Sequence, residues 1–127
     1  VDTIRSKSPG AVVIIQADEG PYPKQFRHKL TATNYYDPSD LPLAEKKQKF
    51  GIFASYYMPG IDKAAVAETI NTPVNSFRFV LKNYLGYSLD MLPPCNFSTG
   101  NKFVVNKFVN ETSNISTSDS KICDTYK

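Results

Sequence analysis

Hydrophobic and polar positions divide this chain into short blocks. The sharpest is Ala11-Val12-Val13-Ile14-Ile15-Gln16-Ala17, an apolar and mostly β-branched run that stops at Asp18-Glu19-Gly20-Pro21. Such a run, bounded by turn residues, predicts a strand buried on both faces. Asp18 and Glu19 then fall just past its C-terminal end, the edge of an open α/β sheet where ligands and metals bind. Carboxylates beside a core strand need a cation or hydrogen-bond donors to offset desolvation. A second, aromatic-rich strand is expected over Phe50–Met58, closed by the turn Pro59-Gly60.

The clearest helical pattern covers Thr72–Leu85. Thr72 is the expected N-cap and Pro73 the first helical residue, while Gly86 is placed to end the helix in the left-handed region. Val74, Phe77, Leu81, Tyr84 and Leu85 recur at spacings of three and four and form the expected core face. Weaker patterns predict short helices at Gln25–Leu30 and Pro42–Gln48, a helical turn within Ile61–Ile70 and a final strand at Lys102–Val109. The remainder reads as a lead-in loop (Val1–Gly10), turns at Gly20–Pro23 and Leu89–Pro94, and a loop over Thr31–Asp40. A polar, loosely held tail is expected over Asn110–Lys127. The order of elements indicates an α/β fold. The strand at Ala11–Ala17 wants neighbours on both sides, and too few other strands are found. The chain therefore reads as a fragment of a larger sheet.

Composition narrows the function classes. The 127 residues suffice for one domain, and 41% hydrophobic with 21% charged residues is ordinary for a globular chain. A net charge of +3 with scattered lysines argues against nucleic acid. The one local cluster, Lys46, Lys47 and Lys49, reads as a solvated helix end. No apolar run approaches the roughly 20 residues needed to cross a bilayer, so no membrane contact by this segment is expected. The first residue is Val1 rather than Met, as expected of a processed product or a piece of something longer. Cys95 and Cys123 can form a disulfide or remain two free thiols, and no Cys/His cluster suggests zinc. Asn96, Asn110 and Asn114 open N-x-[ST] sequons. The single histidine, His28, reads as a surface residue.

Three pieces, in this order, resemble the C-terminal part of the sulfatase and alkaline phosphatase-like superfamily, nearest its membrane-anchored, lipoteichoic acid synthase-type phosphoglycerol transferase branch. They are the strand ending in Asp18-Glu19-Gly20-Pro21, the stretch Gly51–Gly60 ending in Pro-Gly, and Thr72–Gly86 followed by Leu92-Pro93-Pro94. The match covers residues 11–97. The resemblance implies a partial alkaline phosphatase-like sheet with flanking helices. It also implies a parent acting on phosphate or sulfate esters, in which a divalent metal stabilises the developing charge and activates a nucleophile. Asp18 matches a metal ligand of the family, and Glu19 stands where the family usually has His. An all-oxygen pair favours Mn or Mg over Zn, or else the site is degenerate and holds no metal.

The family's nucleophile lies upstream of the matched region. Ser55 and Ser76 fall inside the second strand and the helix, where structural roles are expected, and Arg78 and Asn75 lie on the matched helix. No catalytic residue is assigned, and this segment alone is expected to be inactive. The resemblance implies a bacterial parent anchored in the cell membrane, with this segment extracytoplasmic. The expected partners are the missing N-terminal part of the domain and, through an exposed strand edge, a second copy. The alternative is a non-catalytic structural or binding domain of a membrane protein.

Overall fold

The structure, a computed structural model, describes residues 1–24, 41–99, 108–116 and 120–126. The helix expected at 25–30, the loop at 31–40, His28 and most of the strand expected at 102–109 lie outside them. The chain mixes helices with two small antiparallel sheets and divides into two compact units. The first unit comprises Val1–Ala17 and Phe53–Leu92, and the second Asp18–Ile52 and Pro93–Lys127.

In the first unit the lead-in is an exposed helix, α1 (Asp2–Lys7), rather than a loop. The apolar run forms β1 (Val13–Gln16), which pairs antiparallel with β2 (Ala54–Tyr57) in the register Ile14 opposite Tyr56 and Gln16 opposite Ala54. One further backbone bond, from Ala17 N–H to the Phe53 carbonyl, extends the ladder. The expectation of a strand buried on both faces is corrected here. β1 is covered on one face only: Val12, just before it, and Ile14 pack against the core and Ile15 is exposed, following the two-residue alternation of strand side chains. Among the described residues it also has one strand neighbour. β2 is also shorter than expected, because the preceding helix continues to Phe50 and Phe53 is exposed.

The core of this unit is Met58, Val66, Ile70 and Phe79, surrounded by Val12, Ile14, Tyr56, Ile61, Val80, Tyr84 and Met91. Val66 comes from α3 (Lys63–Thr69), whose first turn is capped by Asp62 accepting from the Ala65 N–H. Phe79 comes from α4 (Val74–Leu85), which ends at Gly86 with φ +71, as expected. The start of α4 differs from expectation. Pro73 takes a helical conformation and occupies the cap position, so the Thr72 side chain makes no capping bond and its carbonyl receives the Asn75 N–H instead.

The face that α4 buries differs in part: of the expected positions, Leu81 is half-buried and Tyr84 packs against the core. Val74, Phe77 and Leu85 are exposed, whereas Asn75, Ser76 and Phe79 are buried. Polar groups can be buried once they are hydrogen-bonded, and both are. The Asn75 side chain donates to the Leu92 carbonyl and accepts from the Leu92 N–H, each at 2.9 Å. Ser76 Oγ bonds Tyr56 OH at 3.0 Å and donates to Gln16 Oε1 at 3.2 Å, holding α4 on the β1–β2 ribbon.

The second unit holds α2 (Leu43–Phe50), the two-residue pair β3 (Phe97–Ser98) and β4 (Val109–Asn110), α5 (Thr112–Ile115) and a 3-10 helix (Ser120–Tyr126). A disulfide joins Cys95 to Cys123, resolving the open choice between bridge and thiols. Bridging positions 28 residues apart stabilises the fold by about 3–4 kcal/mol through the unfolded chain. Within the stretch expected as a loose tail, Glu111, Thr112 and Cys123 are completely or almost completely buried, while Ser113, Asn114, Ile122 and Thr125 are exposed.

These opposite faces of α4 are separable by mutation. Phe79→Ala is expected to destabilise the protein by about 3–5 kcal/mol, and Phe77→Ala by under about 1 kcal/mol. Urea denaturation of both variants checks this, and equal losses would contradict the assignment of faces.

Candidate functional site

Asp18 and Glu19 directly follow β1, and the loop they form is held against the end of α2. The Gly20 N–H donates to the Lys49 carbonyl at 2.9 Å. Gly20 is buried, and a Cβ there would collide with the carbonyl oxygens of Gln48 and Lys49. Glycine is thus required for the approach of one backbone to the other. The last turn of a helix presents carbonyl oxygens and negative potential. Here Lys47 and Lys49 lie in that turn, and the Gly20 N–H meets its carbonyls.

The two carboxylates have different surroundings. Asp18 is exposed, and its Oδ1 accepts from the Glu19 N–H at 2.9 Å. Glu19 is exposed and ion-paired with Lys49 Nζ, which also lies 5.2 Å from the Tyr22 ring centroid. The premise that these carboxylates are desolvated beside a core strand does not hold, because both sit at the surface. As a metal site, Asp18 fits as an open oxygen ligand, while Glu19 must exchange its ammonium partner for the cation. A hard cation takes six or more oxygens, and this pair supplies part of that set. Among the described residues no three His, Cys, Asp or Glu side chains converge. Glu45 on α2, whose Oε2 is buried and has no hydrogen-bond partner among the described residues, does not add a third ligand among them.

The most enclosed charged group of this unit lies elsewhere. Glu111, 1% exposed, accepts from Lys46 Nζ at 2.9 Å, from Ser98 Oγ at 3.2 Å and from Asn114 Nδ2 at 2.8 Å. Lys46 is also buried, so the reading of the lysine cluster as a solvated helix end is corrected at this residue. Burial alone would raise the Glu111 pKa. The Lys46 and Asn114 hydrogen bonds, the Lys46 charge and the Ser98 hydroxyl outweigh it and hold the pKa below the ordinary value of 4.5. Thr112, next in sequence, accepts from the Asn96 N–H through its hydroxyl.

From sequence Lys46 is read only as part of a solvated cluster, and Glu111 is not singled out. They are 65 residues apart, and no periodicity links them. Of the other residues weighed, Ser55 lies in β2, Ser76 is buried in the α4 network, and Arg78 donates to the Asp90 carbonyl at 2.9 Å. Asn75 and Arg78 thus both hold the segment after α4. The sequon asparagines Asn96 and Asn110 donate to backbone carbonyls, and Asn114 serves Glu111.

No family model, curated protein or solved structure matches the chain.

Removing one partner of a buried ion pair leaves the other uncompensated, at about 3–5 kcal/mol. Lys46→Ala is expected to lose that much in chemical denaturation, and a loss below about 1 kcal/mol would contradict the role assigned to the pair. Glu111 also sets an acid response. Its lowered pKa means that the unfolded chain binds more protons just below pH 4.5. The stability it contributes is full above that value and is lost as pH falls through the folded pKa. Glu111→Gln should flatten the stability profile below pH 4.5, and an unchanged slope would contradict the linkage.

Proposed function

We propose that this chain is the C-terminal segment of a sulfatase-like, membrane-anchored bacterial protein, and that its parent is a metal-dependent hydrolase or transferase acting on phosphate or sulfate esters. In that reading Asp18 and Glu19 contribute to a divalent metal site, with Mn or Mg preferred, and the nucleophile comes from upstream sequence. The observation that carries the proposal is the placement of two adjacent, exposed carboxylates directly after β1, on a loop that Gly20 fixes against α2. The metal would supply charge stabilisation at the transferring group. The residues of this chain would orient a ligand pair and leave one side of it open.

Two further observations support a larger parent. β1 pairs on one side only among the described residues, and α4 carries exposed Val74, Phe77 and Leu85. Both are surfaces that the rest of a partial alkaline phosphatase-like sheet and its helices would cover. The Cys95–Cys123 disulfide supports an extracytoplasmic location, because such bridges persist in oxidising compartments. A second reading, a non-catalytic domain that has lost the metal, is favoured by the Lys49–Glu19 ion pair, which places a side-chain cation where the metal charge would be needed.

Titration of Mn into the longer soluble domain, by calorimetry, separates the two readings. The catalytic reading expects saturable binding that is abolished in the Asp18→Ala, Glu19→Ala double variant. Absence of binding to the unmodified domain favours the degenerate one. The isolated chain is expected to self-associate through the open edge of β1. Light scattering should show a dimer that Ile15→Lys weakens, and a monomer at all concentrations would count against edge pairing.

A further inference from the structure

The first unit contains a cavity of about 430 Å³ lined by Tyr56, Tyr57, Met58, Pro59, Ile61, Lys63, Val66 and Ala67. That volume lies within the range of small-molecule sites, which combine apolar walls with a few polar groups that fix orientation. The walls here are aromatic and aliphatic. The polar ends of both tyrosines are already engaged, Tyr56 OH with Ser76 Oγ at 3.0 Å and Tyr57 OH with the Pro9 carbonyl at 3.3 Å. The Pro59 carbonyl accepts from Tyr84 OH at 2.7 Å. Lys63 differs from the rest of the lining. It is exposed at the first position of α3 and has no ion-pair partner among the described residues. Its neighbour Asp62 is occupied in capping that helix.

An apolar cavity whose lining includes one lysine without an ion-pair partner among the described residues suits a ligand with an apolar body and one negative charge, which the flexible Lys63 side chain can reach. We propose that this cavity binds a medium-chain carboxylate, with the acyl chain against Tyr56, Met58 and Val66 and the carboxylate at Lys63. Met58 joins the lining to the core, and the unbranched, polarisable side chain of methionine adapts readily to an alkyl chain. The inference is independent of the metal reading and uses none of its residues.

The chain has two methionines, Met58 and Met91, and only Met58 lines the cavity, so methyl-labelled methionine gives two NMR reporters. Decanoate is titrated into the full chain, with decanol as the neutral control. The expected result is a saturable shift of the Met58 methyl, weakened about fivefold by Lys63→Gln to the level of decanol. Ala67→Trp, at an exposed helical position on the cavity wall, should abolish the shift. An unperturbed Met91 signal shows that each variant is folded. The proposal is overturned if Met58 does not shift saturably, if Lys63→Gln leaves decanoate binding unchanged, or if Ala67→Trp does.

Discussion

The geometry of the second unit depends on how one buried carboxylate is satisfied. Glu111 is almost completely removed from water, and an ionised group there is tolerated only with a full set of partners. Lys46, Ser98 and Asn114 provide it, from α2, β3 and α5. The pair anchors α2 to the far end of the chain. Three residues further along α2, Lys49 pairs with Glu19, and its carbonyl receives the Gly20 N–H. The position of the Asp18–Glu19 loop is therefore inherited from the Glu111 network through one helix of eight residues. Uncoupling Lys46 from Glu111 would release the helix end against which the candidate ligand pair is fixed.

The first unit solves a related problem with neutral groups. Asn75 and Ser76 share the inward face of α4 with Phe79, at positions where a core helix ordinarily carries apolar side chains. Each is admitted because its polar atoms are matched: Asn75 by both backbone groups of Leu92, and Ser76 by Gln16 and Tyr56. These bonds determine which way the helix faces. A reading that counts only apolar residues assigns the opposite face to the core, and here it does so for Val74, Phe77 and Leu85.

This marks what was legible in the sequence. Local chemistry was: the β1 run, the helix α4, its end at Gly86 and the mixed α/β class all follow from short-range pattern and turn residues. Boundaries moved where a neighbouring element competed, as α2 did at Phe50 by extending into the expected strand. Long-range partners were not legible. The Lys46–Glu111 pair, the contact of Gly20 with α2 and the packing of the chain end depend on residues separated by tens of positions, and a polar composition gave no sign of them. The placement of Asp18 and Glu19 after a strand was legible, whereas their exposure and the Lys49 partner were not.

Exposure also changes how the candidate site has to work. A buried carboxylate pair without donors would by itself demand a cation. An exposed pair, one member of which is already neutralised by Lys49, does not. In the catalytic reading, metal affinity at such a pair would need oxygens beyond those of Asp18 and Glu19. By itself, the first unit has β1 paired on one side among the described residues and α4 with exposed Val74, Phe77 and Leu85, surfaces open to a further layer. The ammonium of Lys49 can stand in for the cation's charge, but it cannot polarise an ester oxygen as a divalent ion does.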